Sequence, residues 1–197
     1  MKIIKFKKID TKEIIDKTIN VLKNGGIVVF PTDTIYGLLA DATNKKAVDK
    51  LFQIKKRDFK KPLPIFVSDI SVARNLAILG SKEEDFLKKN WPGQITVVLK
   101  RKKTNKEIYG TKKDTIALRI PDFPLLNEVL KKINRPLTGT SANISGKHHC
   151  SSIKEAVEQF RDKYKPDFVV DFGLLPSRKP SKIIDLTSFP PKVLRRQ

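Results

Sequence analysis

The chain has 197 residues, is 39% hydrophobic with 11 Phe, and sets 41 Lys+Arg against 21 Asp+Glu, a formal charge of +20. That apolar content excludes a disordered polar chain, and no run approaches the ~20 apolar residues a membrane span needs. One cysteine, Cys150, rules out an intrachain disulfide, and the Met-Lys-Ile-Ile-Lys start lacks the apolar core of a secretory signal, so the cytoplasm is expected. The charge favours polyanions such as RNA through phosphate contacts. Lys greatly outnumbers Arg, however, and an AT-rich genome produces the same bias, so charge alone decides nothing.

In chain order, Asp10 and Glu13 form a capping-box pattern before Ile14, Ile15, Ile19 and Leu22, and Gly25-Gly26 ends that helix. Ile27–Phe30 reads as a strand. Pro31-Thr32-Asp33-Thr34-Ile35-Tyr36-Gly37 then gathers two hydroxyls, a carboxylate and a phenol at the strand's end, where ligands of α/β proteins commonly sit. Asn44 caps a helix with Ala47, Val48, Leu51 and Phe52 on one face. Lys55, Lys56, Arg57, Lys60 and Lys61 crowd the passage to the strand Leu63–Val67, and their repulsion calls for water or an anion.

Ser81 with Glu84 predicts another helix start, and Trp91-Pro92-Gly93-Gln94 introduces the strand Ile95–Leu99, with Trp91 expected in the core. Arg101–Asp114 reads as a basic exposed loop. Within the strand Thr115–Ile120, Arg119 must face solvent, a carboxylate or a phosphate. Residues 138–146, TGTSANISG, are too rich in hydroxyls and amides for a core and suit the wrapping of a polar ligand. Ser152 with Glu155 repeats the box, and Phe168–Phe172 and Ile183–Leu186 read as the last strands. With no repeat or linker, the expectation is one α/β domain over 1–197, a twisted mixed sheet with flanking helices.

Standard P-loop and dinucleotide-binding glycine patterns are absent, and no nucleophile elbow accompanies the two histidines. His148-His149-Cys150 lacks a fourth ligand at suitable spacing, and adjacent residues on an extended loop point apart, so no metal site is expected there.

PTDTIYGL (31–38), K-x-R with KPL (55–63), WPG followed by IT (91–96), TIALRIP (115–121), TSANISG (140–146), PSKIIDLT (180–187) and VLRR (193–196) together resemble the YrdC/TsaC-type threonylcarbamoyl-AMP synthases, over nearly the whole chain. The resemblance implies a YrdC-like fold with a positively charged concave face. It implies an enzyme, a nucleotidyltransferase that condenses L-threonine, bicarbonate or carbon dioxide, and ATP with its Mg2+ into threonylcarbamoyl-AMP and pyrophosphate. Partner proteins then carry the threonylcarbamoyl group to the adenosine next to a tRNA anticodon. It assigns Thr34, Arg119, Ser141 and Ser181 to threonine. Lys55 and Arg57 become the catalytic cations, and Lys61, Thr115, Asn143, Ser151 and Arg195 bind ATP.

The chain departs from the pattern in having Phe66 where many relatives have His, at a position facing the threonine. Asp58 and Gln94 replace common residues, and Asp171-Phe172-Gly173 stands where a Gly-rich segment is common. The competing expectation is a non-catalytic double-stranded RNA or ribosome-binding factor of the same fold, using the same basic concavity.

Overall fold

Eleven strands and six helices form among residues 1–6, 11–103, 107–150, 152–160, 163–175 and 179–196, the residues described by this computed structural model. Five strands make one sheet, in the order β1 (Lys2–Lys5), β9 (Phe168–Asp171), β2 (Val28–Phe30), β3 (Gly37–Leu39) and β8 (Thr140–Ser141). Six make a second, in the order β11 (Lys192–Arg195), β10 (Lys182–Asp185), β5 (Ile95–Lys100), β6 (Thr115–Arg119), β4 (Ile65–Phe66) and β7 (Leu137–Thr138). Each sheet mixes parallel and antiparallel pairs. The α/β class expected from the sequence is observed, with the strands divided between two sheets.

Side-chain alternation along the strands decides what each face does. Val28, Phe30, Phe168 and Val170 pack against Ile14, Ile15 and Leu22 of α1 (Thr11–Lys23) and Leu126, Val129 and Leu130 of α5 (Pro124–Ile133). Val29, Leu38 and Val169 face the other way, onto Val48, Leu51 and Phe52 of α2 (Lys45–Lys55) and Ile153 and Ala156 of α6 (Ile153–Gln159). The first sheet is therefore covered on both sides.

The second sheet is covered on one side. Val97, Leu99, Ile116, Leu118 and Ile184 pack on Ala73 and Leu76 of α3 (Ile70–Leu76), Leu87 of α4 (Ser81–Asn90) and Trp91. Burying each large aliphatic side chain contributes ~1.5–3 kcal/mol. The intervening residues Val98, Thr115, Ala117, Arg119, Ile183 and Asp185 instead line a cavity.

Several local signals hold. The Asn44 side chain accepts from Ala47 N at 3.2 Å, the Ser152 hydroxyl accepts from Glu155 N at 3.3 Å, and Trp91 is 7% exposed. Gly25 turns the chain out of α1 with φ +76°. Asp10 lies outside the described residues. The start of α4 moves one residue: Gly80 is its cap, and Glu83 accepts from Gly80 N at 2.9 Å, because the carboxylate three residues after the cap makes that bond. Two helices carry no counterpart in the sequence reading, α3 and α5. The described part of Arg101–Asp114 is not wholly exposed either: Ile108 is 5% exposed, and Leu63 N donates to Gly110 O at 2.7 Å.

The chain crosses from one sheet to the other at Gly139, between β7 and β8. Its N–H donates to Pro64 O at 2.7 Å, and a Cβ there would stand 2.5 Å from the buried Phe66 ring. Gly139→Ala is expected to lower unfolding free energy by ~1–3 kcal/mol through overpacking. Urea denaturation measures this, and an unchanged midpoint would contradict so close an approach.

Candidate functional site

A cavity of about 610 Å³ opens on the uncovered face of the second sheet. The 31–37 and 139–147 loops of the first sheet close over it. Its size falls in the usual range of small-molecule sites. Nine assigned residues line it: Thr34, Arg119, Ser141, Ser181, Lys55, Arg57, Thr115, Asn143 and Arg195. Lys61 is exposed and is not among the lining residues, and Ser151 lies outside the described residues.

Arg119 is 3% exposed and satisfies the demand for a carboxylate, through Asp33. Its Nη2 donates to Asp33 Oδ1 at 2.6 Å, Nε to Gly93 O at 2.9 Å and Nη1 to the Thr34 hydroxyl at 3.3 Å. Burial lowers the guanidinium's pKa and Asp33 opposes that. Among the described residues three of its five N–H donors are used, so a ligand carboxylate can still be received beside Asp33. Gln94, one of the departures from the family pattern, donates from Nε2 to Asp33 O at 2.7 Å and holds the loop that carries this carboxylate. Phe66 lies beneath the guanidinium, its ring centre 5.8 Å from Cζ.

Ser181 is buried, and its hydroxyl shares a 2.8 Å hydrogen bond with Thr96. Arg195 donates from Nε and Nη2 to Ser181 O at 3.0 and 2.7 Å. Burial first, then the Arg119 guanidinium, lowers the Arg195 pKa, and both cations line the same cavity. Arg57 donates to the carbonyls of Lys61 and Pro62 at 3.0 Å each. Among the described residues neither Arg57 nor Arg195 forms an ion pair.

Lys55 differs from these cations. It is 1% exposed, and its ammonium donates to Ser141 O at 2.5 Å, Asn143 O at 2.8 Å and Asn143 Oδ1 at 3.4 Å. Its own carbonyl accepts from Ser145 N at 2.8 Å. Asn143 likewise turns inward, giving its Nδ2 to Ile144 O at 3.0 Å and Lys147 O at 2.7 Å. Lys55 and Asn143 thus shape the loop as well as line the cavity.

Asp33 was visible in the sequence only as one carboxylate in a polar run, and its pairing across 86 residues with Arg119 left no local signal. His149 and Asp185 also line the cavity, without prior assignment.

The Sua5/YciO/YrdC family model, described as telomere recombination, matches residues 20–197. The chain belongs to this family. A Methanocaldococcus jannaschii protein with a provisional threonylcarbamoyl-AMP synthase name is 37% identical over 186 residues, 94% of this chain and 86% of that one. The Pyrococcus abyssi threonylcarbamoyl-AMP synthase is 34% identical over 88% of this chain and 51% of its own length. The crystal structure of P. abyssi Sua5 complexed with L-threonine matches with TM-score 0.88 and 32% identity, over 99% of this chain and 57% of that one. This chain therefore spans little more than half of those P. abyssi relatives. Among the described residues no helix is long and apolar enough to cross a membrane.

Burial, then the nearby Arg57 cation, pushes the Lys55 pKa down from 10.5 to about 7. Below about pH 7 the buried ammonium is charged and its desolvation weighs fully on the folded state. Between about 7 and 10.5 the folded chain has released a proton that the unfolded chain keeps, so this group's contribution to stability rises with pH. Relative to Lys55→Met, the native chain should gain up to ~1.4 kcal/mol per pH unit in that window and nothing below it. Denaturation of both proteins across this range measures the difference, and parallel profiles would contradict a depressed Lys55.

Proposed function

We propose that this chain is an L-threonylcarbamoyladenylate synthase, a nucleotidyl-transfer enzyme acting on L-threonine, bicarbonate or carbon dioxide, and ATP. The observation that carries the reading is one cavity lined by Thr34, Arg119 and Ser181 together with Arg57, Thr115 and Arg195, in a chain of this family. The L-threonine complexed with P. abyssi Sua5 supports the substrate assignment.

In this reading the threonine carboxylate takes the free N–H donors of Arg119, with the Thr34 and Ser181 hydroxyls beside it. The threonine nitrogen attacks carbon dioxide, loses a proton and becomes a carbamate. A carbamate oxygen then attacks the α-phosphorus of ATP in line. The new O–P bond forms as the bond to the β-phosphate oxygen breaks, and pyrophosphate leaves with that electron pair. Arg57 and Arg195 stabilise the charge moving onto the departing pyrophosphate. Lys55, already donating to loop carbonyls, acts by holding Ser141 and Asn143 in place.

Magnesium fits this arrangement as a companion of the nucleotide. Asp185 is a carboxylate in the lining that suits an ion otherwise held by phosphate oxygens and water, and the ion would neutralise phosphate charge. The product is then a substrate for partner proteins that modify tRNA, and the +20 charge suits an RNA-rich, cytoplasmic setting.

Purified protein with ATP, magnesium and bicarbonate should release pyrophosphate when L-threonine is added, and less with serine. Arg119→Ala should raise the threonine requirement steeply while ATP binding, followed by calorimetry, stays nearly intact. Arg57→Ala should cost ~1.5–3 kcal/mol in nucleotide binding or turnover, the worth of a charge-assisted phosphate contact. Lys61→Ala should cost less, because Lys61 stands outside the cavity lining. Pyrophosphate release indifferent to every amino acid offered would sink the synthase reading and favour an RNA-binding factor.

A further inference from the structure

Beyond the cavity, the loop after Ser145 and the first turn of α6 bring three kinds of metal ligand to one place. His148 offers an imidazole nitrogen, Cys150 a sulfur and Glu155 a carboxylate oxygen, and these atoms all lie within 4.8 Å of one another. His149, between the two in sequence, lines the cavity instead. Glu155 completes the set from α6, a contribution hidden in the sequence because Ser152-x-x-Glu155 accounts for that residue as a helix cap.

A second observation shows that the lone pairs converge. The side-chain amide of Gln159 donates to Cys150 Sγ at 3.3 Å and to His148 O at 3.1 Å, and His148 Nε2 lies 3.4 Å from the same nitrogen. An amide N–H2 has only donors to give, so the sulfur directs an acceptor at that point, and His148 Nε2 stands within reach of it.

We propose that His148, Cys150 and Glu155 form a zinc site, with the fourth position open to water. One thiolate and one carboxylate neutralise a dication, and sulfur with imidazole selects zinc over magnesium. Bond lengths of ~2.0–2.3 Å require the ligands to draw in by about 1 Å and the Gln159 amide to withdraw. Zinc binds sulfur as thiolate, so its entry displaces the Cys150 thiol proton. Gln159 Oε1 also accepts from Ile144 N at 2.9 Å, so occupancy of the site is linked mechanically to the loop carrying Asn143. The site does not depend on the synthase reading.

The test is calorimetric titration of Zn2+ into the chelator-treated full chain, in buffers of different ionisation heat, with Co2+ as a spectroscopic probe. One zinc per chain, release of about one proton and a thiolate-to-cobalt charge-transfer band are expected. Cys150→Ser should abolish the band, while His148→Gln and Glu155→Gln should each weaken zinc binding by more than about tenfold. His149→Gln and excess Mg2+ should leave it unchanged. Absence of stoichiometric binding overturns the proposal, as does equal loss at His148 and His149 or indifference to Glu155→Gln, either of which marks an adventitious surface ion. Should Cys150→Ser fail to fold by circular dichroism, Glu155→Gln decides the matter.

Discussion

The Lys55 ammonium joins the end of α2 to the loop after β8, and the shape of the cavity depends on it. Its contacts to Ser141 O and Asn143 O fix two peptide groups in which the chain has just left the first sheet. A buried cation with carbonyl acceptors and no carboxylate carries a desolvation cost that hydrophobic packing elsewhere must offset. That cost fixes one loop conformation. A methionine there would spare the desolvation but leave the buried Asn143 carbonyl without the ammonium donor, while Ser141 O would keep only the Asn143 N–H at 2.9 Å.

Arg119 solves a related problem differently. β6 alternates Ile116 and Leu118 into the core with Thr115, Ala117 and Arg119 toward the cavity, so period two delivers a guanidinium to a water-poor wall. Asp33 meets it there, and removing one member of such a buried pair typically costs ~3–5 kcal/mol. The pair serves two ends: it anchors the 31–37 loop to the second sheet, and it orients the remaining donors of Arg119 into the cavity. Lys55 and Arg119 together lock both loops over one sheet face, while among the described residues Arg57 and Arg195 pair with no carboxylate. A concave surface with cations in that state is prepared for an anion.

Much of this was legible in the sequence. The α/β class followed from apolar runs alternating with capped helices, and the hydroxyl-rich loops together with Arg119 followed from residue type and position. The misses have physical causes. Strands as short as β7 and β8, two residues each, carry no measurable alternation. The start of α5 is marked by Pro124 rather than a hydroxyl, and α3 spans seven residues. Lys61 looked equivalent to Arg57 because spacing does not reveal which cation a turn directs inward. Asn143 lines the cavity, and its amide also binds its own loop, a second role that residue type does not reveal. Pairings such as Asp33 with Arg119, and the meeting of Glu155 with Cys150, join separate elements that only folding brings together.

In the proposed reaction this cavity builds a carbamate on threonine and adenylates it. Carbon-13 bicarbonate, followed by NMR in the presence of purified chain, ATP and magnesium, tests it most directly. The expected result is a labelled carbamoyl carbon bonded to the threonine nitrogen in a product that also contains AMP, formed only when threonine and ATP are both present. Label that stays in bicarbonate and carbon dioxide, under conditions where the folded chain binds ATP, would contradict it.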